Sequence, residues 1–536
     1  MPSSQFVAGT VAGGSAIAEL PRTAAAAVEK STDSAAPILL ALAAAKLMLH
    51  LVCSGSYGFF RDELYYIACG RHLAWGYVDQ PPLVGVLARA SQWALGDSLF
   101  AIRFLPALAG AAVVFLTGWI ARELGGGRFA QFLAAMGIFL APAYLAFDSF
   151  FSMNAFEPLL WMLCAYVLIR ILKAGDPRLW LLFGAVAGVG MLNKYTILVF
   201  GFSLVLGLLL TPARNSLKNR WFWLGGLIAL TIFLPNLIWQ ALHHWPQLEV
   251  VRNAQALKNY PVTPLHFLLE QALFLQPVAL PLWLGGLGWL LLSKEGRAYR
   301  CFGWAFLGVL GIFIALHGKP YYSLPIYPVL FAAGGVAIER FLRSPGRQFA
   351  KFAYPALLIA SGIITMPFGV PILSINAFLQ YQDFLPITKE AVTERDWKGP
   401  LPQLYADMLG WEEMAATVAQ VYHRLPLEQQ AKCAILTGNY GEAGAIDLLG
   451  RRYGLPNAIS GHNNYYLWGP RGYSGEVVIS LGVAYQILEQ LFGEIQPAAI
   501  ISNPYGMPVE NHLPVYICRK PKAPLAQMWP KLRYYI

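Results

Sequence analysis

What constrains this chain most is a succession of apolar runs of membrane-spanning length. A helix needs about 20 predominantly apolar residues to cross the hydrocarbon core, and about eleven segments meet that need. They are 36–56, 99–121, 129–148, 153–173, 179–193, 196–212, 221–242, 266–292, 301–317, 323–341 and 353–375. Only 13% of the 536 residues are charged, against roughly 25% in soluble domains. Backbone polar groups in lipid must be satisfied within their own segment, so runs of this length fold as helices. The chain is therefore read as an α-helical polytopic membrane protein, with residues 36–375 as its membrane domain. Residues 1–35, rich in Ala, Ser, Thr and Gly, are read as a flexible cytoplasmic tail. No basic segment followed by a cleavage site precedes the first run, which is expected to remain as a helix.

The charges sort by side. Arg122 and Arg128; Arg170, Lys173 and Arg178; Arg214, Lys218 and Arg220; Lys294, Arg297 and Arg300; and Arg340, Arg343, Arg347 and Lys351 fill one alternate set of short loops. Short basic loops face the cytoplasm. The net charge of +10 is thereby explained by topology, with no nucleic-acid surface implied. The other set, 57–98, 149–152, 193–195, 243–265 and 317–322, faces outward and carries Asp62-Glu63, Lys194, His243-His244 and Lys319. An odd number of spans puts residues 376–536 on that side too. A pump or channel would place its ionisable groups mid-span; here they gather at one surface.

Phe60-Arg61-Asp62-Glu63-Leu64-Tyr65-Tyr66 sets two carboxylates at the membrane edge, where ionisable groups point to function. Segments 65–73 and 83–95 are amphipathic and are separated by Pro81-Pro82, so they read as two helices lying in the interface. Asp62 and Glu63 admit a second reading, as acidic residues capping the first of these helices. Lys194, at a span end, can snorkel to the interface or hold an anion. Asn154 and Glu157, with Asp148 nearby, could line a substrate site; the alternative is that Ser152 or Asn154 caps the fourth span. Glu157 lies one turn inside an apolar helix, where a carboxylate needs a partner. Arg252 and Lys258 are solvated loop charges or anion ligands. His243 and His244 are adjacent, so a helix cannot aim both at one ion; a divalent metal is possible but not required.

From about residue 376, Pro, Gly, Asn and charged residues become frequent and no run is long enough to span. Strands are expected at 433–437, 477–481, 498–502 and 515–518. Their alternation with helices indicates a small α/β domain on the outer side. Gly438-x-x-Gly441-x-x-Gly444 superficially matches a phosphate loop, but tight strand-to-helix packing fits better where nucleotides are scarce. Segment 460–470 combines Asn, Tyr and Trp; it suits a glycan, or equally an aromatic loop packed on the membrane domain. None of the six cysteines forms a CxxC pair. Cys433 and Cys518, both in strand-like segments, could pair in an oxidising compartment.

Four elements occur in order. They are Asp62-Glu63-x-x-Tyr66; Asp79-Gln80-Pro81-Pro82; Gly188-Val189-Gly190-Met191-Leu192-Asn193-Lys194; and Lys319-Pro320-Tyr321-Tyr322-Ser323-Leu324-Pro325-Ile326-Tyr327-Pro328. Together, over roughly residues 36–345, they resemble the GT-C fold membrane glycosyltransferases. The likeness is to family 39 and the aminoarabinose-transferase-like branch, related to the dolichyl-phosphate-mannose protein mannosyltransferases. The resemblance implies about 11–13 transmembrane helices with interfacial helices in the first outer loop. It implies inverting transfer of a sugar from a polyprenyl-phosphate donor to a lipid, glycan or protein acceptor, with no required cofactor, at the outer face of a bacterial inner membrane. It implies Asp62 as general base, with Glu63 orienting it or binding sugar, and Lys194 and Lys319 near the lipid phosphate. Tyr65, Tyr66, Asp79, Gln80, Asn154, Glu157, Arg252, His317, Tyr321 and Tyr322 complete the expected substrate contacts. Two positions depart from the branch: Gln80 stands where Lys is frequent and Tyr65 where Arg is frequent, and both remove positive charge. Two alternative classes are an oligosaccharide ligase, which would need more outer cations, and a transporter or flippase, which would show internal repeats and mid-span charges. A non-catalytic sugar-binding scaffold would have no use for the acidic pair.

Overall fold

The computed structural model describes residues 34–385 and 399–536. The expected N-terminal tail lies outside the described residues except for Ser34 and Ala35. Ala35 is buried, and its N–H donates to Gln131 Oε1 at 3.0 Å.

Among the described residues, seven helices, from Ala36–Cys53 to Pro345–Phe368, are long and apolar enough to cross a membrane. Three helix pairs qualify together but bend: Arg128–Leu140 with Pro142–Asp148 by 65°, Ile197–Leu209 with Pro212–Lys218 by 115°, and Pro264–Phe274 with Pro277–Leu292 by 94°. Leu179–Asn193 is a shorter apolar helix. Every apolar run expected from the sequence is thus helical. The bends have local causes. Pro142 and Pro277 each open a helix at its first turn, where the missing N–H costs nothing, and Gln276 before the latter holds φ at 62°. Close backbone approach ties the bundle together. Gly184 lies against the backbone of Gly225 with no room for a Cβ, the small-residue packing that helices in lipid use in place of a hydrophobic driving force.

A buried charge pair ties the first span to the segment Pro142–Asp148. Lys46, in the first span, is fully buried and its Nζ is 2.9 Å from Asp148 Oδ2. Charges are therefore not confined to one end, and Asp148 is engaged by Lys46 rather than lining a site with Asn154.

The 57–98 segment forms the expected pair of helices, Arg61–Arg71 and Leu83–Leu95. The C-terminal domain holds a five-stranded sheet of β1 (Cys433–Thr437), β2 (Ala458–Ser460), β3 (Val477–Leu481), β4 (Phe492–Ile501) and β5 (Leu513–Pro521). The order is β2-β1-β3-β5-β4, with β1 parallel to β2 and β3 and β5 antiparallel to β3 and β4. Cys433 lies beside Val477, and Cys518 beside Val478. Consecutive strand residues point to opposite faces, and β3 runs between the two cysteines. They cannot form the disulfide considered from the sequence; all six cysteines are free and buried.

Helix Tyr440–Leu449 carries the glycine pattern and packs on Arg61–Arg71. Asn439 Oδ1 caps it by accepting from the N–H groups of Gly441 and Glu442 at 2.8 and 3.0 Å. A Cβ on Gly441 would fall 2.6 Å from Arg61 Cγ, and one on Gly444 would fall 2.8 Å from Leu64 Cβ. The glycines therefore serve packing, but two of them face the membrane domain rather than the strand before them.

Overpacking at this contact costs about 1–3 kcal/mol. Gly444→Leu is expected to lower the thermal midpoint in detergent and to speed proteolytic separation of the C-terminal domain. Unchanged midpoint and protection would contradict this account of the interface.

Candidate functional site

The site is built around the first turn of helix Arg61–Arg71. Glu63 is fully buried. Its Oε2 accepts from Phe60 N–H and Arg103 Nη2, both at 2.8 Å; its Oε1 accepts from Arg103 Nε at 2.9 Å and Phe151 N–H at 2.7 Å. Arg103 spends its other donors on the carbonyls of Ser54 and Gly58 at 2.7 and 2.8 Å. With both oxygens filled, Glu63 has the capping role weighed for the pair, and no room for the sugar contact expected of it.

Successive helical residues are rotated by roughly 100°, so Asp62 faces away from this knot. Its side chain is 29% exposed. Oδ1 accepts from Tyr440 Oη–H at 2.8 Å and lies 3.9 Å from Arg61 Nε. Asp79 is a second carboxylate nearby: Oδ1 accepts from Tyr65 Oη–H at 2.8 Å and Oδ2 from Asn463 Nδ2 at 3.2 Å. Burial pushes the Asp79 carboxyl up to about 6, with the charge of Asp62 adding to the rise and the Tyr65 hydrogen bond opposing it. The rings of Tyr65 and Tyr440 stack with centroids 4.6 Å apart, so the phenols that hold the two carboxylates lie face to face. Tyr66 is buried beside both carboxylates, and burial, then the charge of Asp62, then that of Asp79, push its phenol well up. Gln80, expected to line the site, points inward instead: it is fully buried, with Nε2 3.6 Å from Cys69 Sγ.

Lys194 closes the helix Leu179–Asn193 and heads a second cluster. Its Nζ donates to Asn154 Oδ1 at 2.7 Å and to Glu157 Oε2 at 2.9 Å. Thr196 Oγ1 donates to Glu157 Oε1, so the carboxylate inside the apolar helix has the partners it needs. The Tyr322 and Tyr321 rings lie 4.5 and 5.6 Å from Nζ, within cation–π range. An ammonium has three donors, and the two bonds to Asn154 and Glu157 leave one.

The two clusters adjoin. Phe151, which binds Glu63, has its ring 6.3 Å from that of Tyr66 and stands three residues before Asn154. Tyr195, next to Lys194, donates to Asn236 Oδ1 at 2.9 Å and accepts from Gln240 Nε2 at 3.2 Å; the same Nε2 reaches Tyr77 O, close to Asp79, at 3.1 Å. Lys319 is half-buried at the head of the turn Pro320–Ile326 that presents Tyr321 and Tyr322. His317 and Arg252 are exposed, and no contact among the described residues joins either to these clusters. His243 stacks on Trp239 at 4.0 Å. Among the described residues no group of three or more His, Cys, Asp or Glu is arranged to hold a metal.

Sequence reasoning missed Arg103, Thr196 and Tyr440, and it singled out the segment of Asn463 and Asn464 without placing either beside Asp79. Asn464 Oδ1 accepts from Val78 N–H at 2.6 Å. The aromatic segment 460–470 is therefore packed on the membrane domain, and its two asparagines reach the loop that carries Asp79.

A family model described as dolichyl-phosphate-mannose-protein mannosyltransferase matches residues 79–239. An undecaprenyl phosphate-alpha-4-amino-4-deoxy-L-arabinose arabinosyl transferase from Edwardsiella ictaluri is 24% identical over 330 residues, 55% of this chain. That alignment spans only 57% of the relative's own length. The crystal structures of ArnT from Cupriavidus metallidurans bound to undecaprenyl phosphate and in the apo state match with TM-scores of 0.61 and 0.58, at 15% and 14% identity. Each match covers 90% of this chain and 98% of that one. The chain shares its GT-C fold with these structures.

Removing one partner of a buried ion pair costs about 3–5 kcal/mol, so Arg103→Met is expected to lower the unfolding midpoint in detergent sharply. An unchanged midpoint would contradict the anchoring role. The raised Asp79 carboxyl gives a second expectation. Its folded value of about 6 exceeds the ordinary 3.8, so the folded protein holds this proton in the window where the unfolded chain has lost it. Stability from this group is greatest below that window, falls as pH rises through it, and is level above about pH 6. Asp79→Asn is expected to flatten this part of the midpoint-versus-pH curve; identical curves would contradict it.

Proposed function

We propose that this GT-C-fold membrane protein is a glycosyltransferase that takes a sugar from a polyprenyl-phosphate carrier. It delivers the sugar to a hydroxyl on a lipid, glycan or protein acceptor, at the outer face of a bacterial inner membrane. The observation that carries the reading is the pairing of two adjoining clusters at one end of the bundle. One presents a partly exposed carboxylate, Asp62; the other presents a cation with an unused donor, Lys194. The likeness to a transferase whose name specifies an undecaprenyl-phosphate sugar, and to a structure bound to undecaprenyl phosphate, supports the donor class. The short basic loops at the opposite end support the orientation.

In this reading transfer proceeds with inversion. The acceptor hydroxyl attacks the anomeric carbon from the face opposite the lipid phosphate, and its proton passes to Asp62 Oδ2. The bond from the anomeric carbon to the phosphate oxygen breaks, and the lipid phosphate leaves with the electron pair. Lys194 offsets the developing charge, with Lys319 close by on the turn that carries Tyr321 and Tyr322. A positioned cation acts best where charge develops in a site that excludes water. Tyr440 holds Asp62 through Oδ1 and leaves Oδ2 for the proton. Asp79, steadied by Tyr65 and Asn463, offers an acceptor for sugar hydroxyls. Glu63 positions Asp62 through the backbone and does not touch substrate.

A positioned general base contributes about 10²–10⁴-fold. Asp62→Asn is expected to lose transfer activity by that factor while keeping its unfolding midpoint, measured with polyprenyl-phosphate-linked sugar as donor. Turnover near the wild-type rate would remove Asp62 from the role.

A further inference from the structure

A cleft of about 520 Å³ opens beside the C-terminal end of helix Arg61–Arg71, where it faces helix Leu83–Leu95 and the C-terminal domain. Its walls carry Arg71, Arg89, Arg451 and Arg471, with His72 and Trp468. The two carboxylates in reach do not balance these guanidiniums. Asp447 is committed to the fold: Oδ1 accepts from Ala458 N–H at 2.7 Å, and Oδ2 from Tyr465 Oη–H at 3.1 Å and Arg471 Nη2 at 3.2 Å. Asp97 is half-exposed and lies 3.5 Å from Arg71 Nη2. Arg71 Nη1 donates to the Asp447 carbonyl at 3.1 Å, while its buried Nη2 makes no hydrogen bond. Arg89 and Arg451 are exposed and form no ion pair among the described residues.

The surroundings narrow the ligand. The His72 ring stacks on Trp468 at 4.4 Å, and burial followed by the charge of Arg471 pushes this imidazole down, so it adds an aromatic wall rather than another charge. Helix Leu83–Leu95 exposes Val86, Trp93 and Leu95, an apolar face of the kind that interfacial helices present to lipid. Planar guanidinium forks match phosphate oxygens in bidentate pairs. The volume is that of a small-molecule site, larger than a lone phosphate needs. Asp62 and Arg71 stand nine residues apart on one helix, ~14 Å along its axis, so the cleft is separate from the clusters of Asp62 and Lys194.

We propose that this cleft is a second ligand site, which binds a phosphate-bearing headgroup of sugar-phosphate size through Arg71, Arg89, Arg451 and Arg471, with Trp468 as its aromatic wall. The inference rests on the charge of the cleft and not on the reading of Asp62 as a base.

The test uses the full chain in detergent micelles and an Arg89→Ala/Arg451→Ala double variant, since these two side chains have no folding partner to lose. Titration calorimetry with inorganic pyrophosphate is the first arm. Native mass spectrometry with added phosphatidylglycerol or phosphatidylcholine is the second, and the unfolding midpoint confirms that the variant is folded. Loss of two charge-assisted contacts is expected to weaken pyrophosphate by about tenfold or more. Arginine-dependent retention of phosphatidylglycerol over phosphatidylcholine would support the site with a membrane headgroup as its source. Arginine-dependent pyrophosphate binding with no lipid preference would support it with a non-membrane phosphate as its source. Equal binding by wild type and double variant, or no binding of either probe, would overturn the proposal.

Discussion

The arrangement of the site depends on one buried ion pair. Arg103 and Glu63 are each almost wholly removed from water, a state that is tolerable only when every charged atom has a partner. Here Glu63 accepts four hydrogen bonds, and Arg103 adds two to the carbonyls of Ser54 and Gly58. The pair thereby joins the end of the first span, the start of the second, the head of the helix Arg61–Arg71 and the segment before the fourth span. Asp62 is the residue beside this knot. Its direction follows from the helical rotation once Glu63 is fixed, without any direct contact between the two carboxylates.

The C-terminal domain supplies the other half of the same geometry. Tyr440 reaches Asp62, Asn463 reaches Asp79, and Asn464 reaches the backbone of Val78. These contacts require helix Tyr440–Leu449 to lie very close to helix Arg61–Arg71, and the absence of side chains at Gly441 and Gly444 makes that possible. The stacked rings of Tyr65 and Tyr440 couple the two carboxylates across the junction. The membrane helices thus bring Lys194, Asn154 and Glu157 together, while the domain outside them sets the position of the acidic groups.

Much of this was legible in the sequence, and the limits have physical reasons. The apolar runs read from the sequence are helical because hydropathy over a helical length is a local property, although Leu179–Asn193 is too short to count with the spanning helices. The breaks near Pro142 and Gln276 were not seen, because both sides of each break are equally apolar. The cluster of Lys194 with Asn154 and Glu157 was anticipated in its members, since a carboxylate inside an apolar helix must find a cation. Of the readings open for Glu63, the cap and the support of Asp62 fit its buried position and the sugar contact does not, because adjacency in sequence does not say which side of a helix faces the core. Gln80 was expected at the site and turns inward, and the Lys46–Asp148 pair was missed, for the same reason: side-chain direction is decided by packing. Tyr440, with Arg451 and Arg471 of the second cleft, comes from segments hundreds of residues from Asp62, and no local pattern marks them as its neighbours. The Cys433–Cys518 pairing failed on register, which only the sheet order reveals.

The central claim is that adjoining acidic and cationic clusters at one end of a GT-C bundle hold a polyprenyl-phosphate sugar. Native mass spectrometry of lipids that co-purify with the wild type and with Asp62→Asn tests it most directly. The account predicts a polyprenyl-phosphate sugar enriched on the Asp62→Asn protein, because binding through Lys194 persists while transfer stops. The mass of that species would also identify the sugar. Failure of both proteins to carry such a lipid, even when it is added to the micelles, would contradict the account.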